Sequence, residues 1–271
     1  MEGSPPCQSF SMAGKRQLTW GKVRDHGDHR QRDDDLFLEF ARLVKGLRPR
    51  AFVAENVAGL VRGVAKGWFK EILRTLKSCG YVVEAKLLDA QWLGVPQSRQ
   101  RVIFQGIRAD LGAAPTWPKP LSYRYSVREA MVDLPGWDQL HEMDVVHRAG
   151  GWLHGIKKST DRPSPTITIQ SSMRVIYDEG SIAGTAIGAE AEGMSEGEQS
   201  DKYFSLVRAH RDRPCPTITA ASGNPSTAGV IHPTQQRKFT IAELKRVCSF
   251  PDDFVLRGSY AEQWARLGNS V

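Results

Sequence analysis

Three short stretches place reactive or charged side chains where a folded chain could use them. In Gly3-Ser4-Pro5-Pro6-Cys7-Gln8-Ser9-Phe10-Ser11, two prolines stand directly before a cysteine. Each proline ring fixes φ and removes an N–H donor, so the thiol is carried on a stiff turn among small and polar neighbours. That setting suits a nucleophile. The plain alternative is a proline-rich tail with an incidental thiol, since a lone cysteine is a weak signal. The second stretch is Glu55-Asn56-Val57, directly after the apolar run Ala51-Phe52-Val53-Ala54. A carboxylate after a buried strand stands where open α/β sheets place their ligand crevice; otherwise it caps a following helix. The third is Gln97-Ser98-Arg99-Gln100-Arg101, leading into Val102-Ile103-Phe104-Gln105-Gly106. Arg99 and Arg101 at this strand entrance are expected to project to opposite faces, one bracing the scaffold and the other facing the crevice.

The elements that must position these groups follow from periodicity. Leu36, Phe37, Phe40, Ala41, Leu43 and Val44 have helical spacing up to Lys45, after the carboxylates Asp33 to Asp35, which favour a helix N-terminus. Ala51–Ala54 reads as a buried strand bounded by breakers. Trp68 to Ser78 is an amphipathic helix stopping at Gly80, and Tyr81 to Leu88 a second strand. Gly94-Val95-Pro96 makes a turn before the third strand. This order describes part of a doubly wound α/β sheet. Two further stretches read as irregular. Met12 to Arg32 is a basic, polar loop around Trp20, either a solvated segment or a flap that closes over phosphates. Asp178 to Asp201, rich in Gly, Ala and Glu, reads as a flexible insertion.

Composition sets the outer bounds. Of the 271 residues, 40% are hydrophobic and 25% charged, which fits a globular protein large enough for one or two cores. No apolar run approaches the ~18 residues of a membrane span, and the N-terminus lacks a signal-peptide layout. Cys7, Cys79, Cys215 and Cys248 are far apart with no C-x-x-C pair, so neither a zinc site nor a disulfide framework is indicated. A reducing, cytoplasmic setting is expected. The net charge of +7 permits a polyanionic partner without requiring one.

Beyond Pro115-Thr116-Trp117-Pro118 the periodicity weakens until about His232. An internal echo lies within that span: Arg162-Pro163-Ser164-Pro165-Thr166-Ile167-Thr168 and Arg213-Pro214-Cys215-Pro216-Thr217-Ile218-Thr219. Regular patterning returns with Thr240-Ile241-Ala242-Glu243 and Ser259-Tyr260-Ala261-Glu262, both matching a helix capping box.

In this order, Pro6-Cys7-Gln8, Glu55-Asn56-Val57, Gln97-x-Arg99-x-Arg101, Arg237-x-x-Thr240-x-x-Glu243 running to Phe250-Pro251-Asp252, and Gly268-Asn269-Ser270-Val271 resemble the cytosine-C5 DNA methyltransferases. Each motif alone is weak; five in sequence are specific, and they cover Gly3 to Val271 apart from the variable middle. The resemblance implies an incomplete Rossmann-like, S-adenosylmethionine-dependent methyltransferase sheet with an inserted, irregular, mostly-β target-recognition domain. The expected division is 1–118 as a partial catalytic domain, 119–232 as the recognition domain and 233–271 as a return to the catalytic domain. By the same resemblance Cys7 attacks C6 of a flipped cytosine, Glu55 neutralises charge at N3, Arg101 holds O2 and Arg99 braces the loop. Pro6, Leu36, Asn269 and Ser270 would lie near the cofactor. Gln8, Ser9, Asn56, Thr217 and Thr219 would contact the double-stranded DNA. A bacterial or phage-encoded restriction-modification enzyme is implied.

The pattern also departs from the family. Members carry a Phe-x-Gly-x-Gly cofactor loop well ahead of Pro-Cys-Gln, whereas here Cys7 has six residues before it. The expectation is an incomplete S-adenosylmethionine site, in a chain that is a fragment, a split subunit whose rest a second polypeptide supplies, or the product of a misplaced start and end. A non-catalytic DNA-binding remnant and an RNA cytosine-C5 methyltransferase relative stay open as alternatives.

Overall fold

The computed structural model describes residues 1–5, 24–26, 29–31, 36–62, 65–134, 137 and 180–270. They belong to two compact units, one of residues 1–93 with 99–120 and one of 94–98 with 121–271. No described helix is long and apolar enough to cross a membrane.

The first unit is built on a four-stranded sheet: β1 (Glu2–Gly3), β4 (Ala51–Val57), β5 (Tyr81–Asp89) and β6 (Gln100–Arg108), in the spatial order β1-β4-β6-β5. A separate two-stranded ribbon pairs β2 (Arg24–His26) with β3 (His29–Gln31), antiparallel, inside the stretch read from sequence as a loop. Helices α1 (Leu36–Leu47) and α2 (Lys66–Ser78) contribute Phe37, Phe40, Val44, Ile72 and Leu76 to one core with Phe52, Ala54, Tyr81, Val83, Val102 and Phe104 of the sheet. Alternation along the strands decides which side chains enter it. In β4, Phe52, Ala54 and Asn56 are buried while Ala51 and Val53 are exposed. Edge-to-face contacts of Phe37 with Phe104 and Phe52 with Tyr81, at 5.1 and 5.2 Å between centroids, fill the layer. Two glycines are required by this packing. A Cβ on Gly3 would stand 2.5 Å from the Phe40 ring, and one on Gly106 would stand 2.1 Å from Phe52 directly across the ladder.

The sheet is mixed, which agrees with the α/β reading and adds an antiparallel strand to it. β1 runs parallel to β4, but β6 runs antiparallel to both β4 and β5. The connection 90–99 is too short for a crossover helix and returns the chain beside β5. Glu55 is also not after a strand but inside one, since β4 continues to Val57.

The second unit contains α3 (Val127–Met131), α4 (Ala186–Ala191), α5 (Ile241–Val247) and α6 (Tyr260–Asn269), with a short parallel pair β7 (Val207–Arg208) and β8 (Val230–Ile231). Its main core joins Val127, Met131, Ile218, Val230, Phe239, Leu244, Val247, Trp264 and Leu267. A second cluster of Ile182, Ile187, Ala191, Leu206 and Ile231 occupies the region read as a flexible insertion. Over 180–201 that expectation is wrong. Thr185 caps α4 through the Gly188 N–H, and the helix buries Ile187 and Ala191.

The Arg-x-x-Thr-x-x-Glu spacing has a direct physical basis. Thr240 and Glu243 form the capping box that opens α5, and the buried Glu243 carboxylate takes two 2.7 Å hydrogen bonds from Arg237. Burial of all three groups makes each depend on the others. Nearby, Lys238 is enclosed beneath the Trp264 ring, donating to the carbonyls of Ser222 and Thr227. Burial lowers its ammonium to about 8. Burial likewise pushes His232 well below its usual range, with Arg237, Arg208 and Arg211 adding repulsion. A neutral ring agrees with its Nδ1 accepting from the Thr234 and Gln235 N–H groups at 3.2 Å.

Helix α6 lies against the 3-10 turn Ala220–Ser222, and a Cβ on Gly268 would meet the Ala220 nitrogen at 2.5 Å. Backbone cannot give way as a side-chain tip can. Gly268→Ala is expected to cost about 2–3 kcal/mol in urea unfolding. Gly46→Ala has nothing within 4 Å of the new Cβ, and should be neutral or stabilise by up to about 1 kcal/mol through helix propensity. Equal midpoints for the two variants would show that the close approach of α6 is misjudged.

Candidate active site

The residues singled out for chemistry on β4 and β6 meet at one end of the first unit's sheet. Val57 stands opposite Arg101 and Glu55 opposite Ile103 in the antiparallel register. Glu55 and Arg101 are therefore diagonal neighbours on one face, the side away from Phe52 and Phe104. Arg101 Nε lies 2.7 Å from Glu55 Oε1, with side-chain exposures of 18% and 16%. Burial works against the Arg101 charge and lowers its pKa, while Glu55 opposes that shift. An arginine nonetheless remains protonated under any ordinary condition. Arg101 Nη1 also donates to the Gln100 carbonyl at 2.8 Å.

The same strand fastens the chain that leads to the cysteine. Met1 donates its amino group to the Ala51 carbonyl at 2.9 Å, and Val53 N–H donates to the Met1 carbonyl at 2.9 Å. Ser4 donates its hydroxyl to Glu55 Oε2. Asn56 turns its buried amide the other way, with Nδ2 donating to the Pro5 carbonyl at 3.2 Å and Oδ1 accepting from Val57 N–H at 2.9 Å. One tripeptide, Glu55-Asn56-Val57, thus holds Arg101, Ser4 and Pro5 together. Ser4 was not singled out by motif reading. Its neighbour Glu55 is 51 residues away in sequence, and only the parallel β1–β4 pairing reveals the contact.

Cys7, Pro6, Gln8 and Ser9 lie outside the described residues, as does the first copy of the echo, Arg162 to Thr168. Arg99 is buried and precedes β6. Its N–H donates to Asp89 Oδ1 at 3.2 Å and its carbonyl accepts from Ala90 N–H at 3.0 Å. Residues two apart on a strand share a face, so the expectation of opposite faces fails as strand geometry. The two arginines differ because Arg99 belongs to the turn and Arg101 to the strand.

The other assigned residues are placed separately. Leu36 opens α1 and is half-buried. In the second unit, Thr217 Oγ1 donates to the Ser98 carbonyl at 2.5 Å, and Thr219 Oγ1 lies 3.0 Å from Ser222 Oγ. The Thr219 carbonyl accepts from Trp264 Nε1 at 2.9 Å. Asn269 is exposed, and Ser270 donates its hydroxyl back to the Leu267 carbonyl at 2.6 Å. Leu36 belongs to the first unit, and Asn269 and Ser270 to the second.

Replacing Asn56 by Ala removes the partner of both Pro5 C=O and Val57 N–H. The expected loss is about 1–2 kcal/mol of stability, with faster amide exchange at Val57. Unchanged exchange at Val57 would show that Asn56 does not hold this junction.

A family model of C-5 cytosine-specific DNA methylase matches residues 1–271. The Type II methyltransferase M1.HphI of Haemophilus parahaemolyticus is 33% identical over 282 residues, covering 99% of this chain and 63% of that protein. Type II methyltransferase M.DdeI of Desulfomicrobium norvegicum is 29% identical over 299 residues, covering 99% and 68%. The chain thus spans about two thirds of these relatives, each of which carries its additional length within the same chain, and a second polypeptide has no support here. Among solved structures, a protein encoded within an Escherichia coli prophage superposes with a TM-score of 0.62 at 20% identity, covering 100% of this chain and 74% of that one. Spodoptera frugiperda DNMT2 gives 0.57 at 17%, covering 100% and 74%. Both share the fold. With the family pattern matched from end to end and the Glu55–Arg101 pair assembled on the sheet, the chain belongs to the C-5 cytosine-specific DNA methylase family.

Proposed function

We propose that this chain carries the base-handling side of a DNA cytosine-C5 methyl transfer. The supporting observation is the Glu55–Arg101 pair, fastened through Ser4 and Asn56 to the segment that runs into Pro6-Cys7. C5 of cytosine is a poor nucleophile until a nucleophile adds at C6. A thiolate suits that step, and the Cys7 sulfur forms a bond to C6 while the C5–C6 π electrons move toward C5 and the N3 side of the ring. Glu55 holds a proton or hydrogen bond at N3, where negative charge develops, and Arg101 donates to O2. S-adenosylmethionine, when bound, supplies the electrophilic methyl group. A base then takes the C5 proton, the C6–S bond breaks, and the electron pair leaves with the Cys7 thiolate. Gln8, Ser9 and Asn56 are assigned to contact the substrate DNA.

The target atoms are stacked inside a duplex, so the cytosine must be flipped out at a cost of a few kcal/mol. Phosphate contacts by basic side chains offset that cost. Residues 119–232 act as the target-recognition domain, with Thr217 and Thr219 among the DNA contacts. The start of the segment near 119 lies close to where the second unit resumes at Leu121, while that unit's main core runs on through 232, joining Ile218 and Val230 to Phe239 and Leu244.

Duplex DNA carrying 5-fluorocytosine at the target should trap the protein as a covalent adduct with S-adenosylmethionine present. Cys7→Ser should abolish the adduct and leave duplex binding largely intact. An undiminished adduct in that variant rules out Cys7 as the nucleophile. Exchange of 119–232 with the corresponding segment of a relative should move the methylated sequence with it, read by bisulfite sequencing. A site that stays with the remaining segments would place recognition elsewhere.

A further inference from the structure

Beside the Glu55–Arg101 pair runs a chain of polar side chains to which no role has been given. Gln100 stands opposite Asp89 where β5 and β6 begin to pair. Its Nε2 donates to Asp89 Oδ2 at 3.3 Å, and its Oε1 accepts from Arg62 Nη2 at 2.9 Å. Its backbone carbonyl is the acceptor for Arg101 Nη1. Asp89 gathers more than this one partner. Oδ1 accepts the Arg99 N–H at 3.2 Å and Oδ2 accepts Gln91 Nε2 at 2.8 Å, so one carboxylate closes the whole turn from β5 to β6.

The residue type at 100 follows from these contacts. A side-chain amide both accepts and donates, so it can join a guanidinium on one side to a carboxylate on the other. Glutamate there would set a second negative charge against Asp89, and lysine could accept nothing from Arg62. Arg62 follows the 3-10 turn Ala58–Val61, which leaves the end of β4. The Arg62–Gln100–Asp89 chain therefore ties the exit of the strand carrying Glu55 to the entrance of the strand carrying Arg101.

We propose that Gln100, clamped between Asp89 and Arg62, is a positioning residue that aims the Arg101 guanidinium. This rests on the reading of Arg101 as the group that holds the flipped cytosine. The guanidinium has two fixed points, Glu55 Oε1 and the Gln100 carbonyl. Turning the Gln100 peptide would move one of them, and a misplacement near 1 Å can slow a reaction by about 10²-fold. One of those points is thus set through a side chain outside the Glu55–Arg101 pair.

The test uses the full chain, with the rate of adduct formation on 5-fluorocytosine duplex and the duplex Kd as paired readouts. Gln100→Leu should slow the adduct roughly tenfold with Kd within about twofold, and Gln100→Glu should slow it further. In an Arg101→Ala background, Gln100→Leu should add no further loss. Arg62→Met, which alters an exposed side chain and does not threaten folding, should give a smaller loss of the same kind. A wild-type rate for Gln100→Leu beside a slow Arg101→Ala overturns the positioning role alone, as does an additive loss in the double variant. A wild-type rate for Arg101→Ala overturns the reading of Arg101 and the proposal with it. Independently of rate, a crystal structure of Gln100→Leu should show Arg101 shifted off Glu55; an unmoved pair overturns the proposal.

Discussion

The ion pair between Glu55 and Arg101 is the constraint around which the first unit is arranged. Neither side chain is exposed enough for water to solvate it fully, so each requires the other. That requirement fixes register. A one-residue slip between β4 and β6 would send every side chain to the opposite face, exposing Phe52 and Phe104 and parting the charges. The large aromatic core on one face and the ion pair on the other therefore select the same alignment. Gly106 opposite Phe52 makes that choice unique, because any side chain at 106 would displace the ring.

A comparable pair organises the second unit with a different purpose. Arg237 and Glu243 are both buried, and the carboxylate is shared between the guanidinium and the first turn of α5. Replacing a buried pair by apolar residues is often tolerated, but removing one partner leaves a buried charge. The pair thus makes the strict spacing a condition for folding. Lys238 and Arg208 extend the pattern, each donating to several backbone carbonyls of the loops around them.

Local features were the most legible in the sequence. The Thr240–Glu243 capping box, the stop of α2 before Gly80 and the amphipathic faces of α1 and α2 involve residues within one or two turns, so side-chain chemistry and spacing suffice. Glu55 and Arg101 were recognisable from motif order, although their contact spans two strands. Long-range pairing was not legible. Nothing in Tyr81–Asp89 or Gln100–Arg108 distinguishes a parallel from an antiparallel neighbour. The Gly-, Ala- and Glu-rich stretch near 190 does not show its core in its composition, because its few apolar residues, Ile182, Ile187 and Ala191, meet Leu206 and Ile231 across the chain. Composition counts residues, whereas a core depends on where they meet.

On the proposed reading, the pair also explains how a base-binding site keeps two charged groups side by side. A site that must hold a polar ring edge needs a carboxylate and a guanidinium close together, and two such groups left unpaired would be costly to desolvate. Their mutual contact satisfies them beforehand. A cytosine entering beside them would replace part of that contact with its own O2 and N3 rather than meet bare charges. The trade is favourable only if both groups are already aimed at the incoming ring, since reorientation would consume the gain. Rigid attachment is what the sheet supplies: Glu55 within a paired strand, and Arg101 between that carboxylate and the Gln100 carbonyl. The short segment through Ser4 and Pro5 is held to the same strand, so the chain leading toward Cys7 sets out from the scaffold that carries the pair.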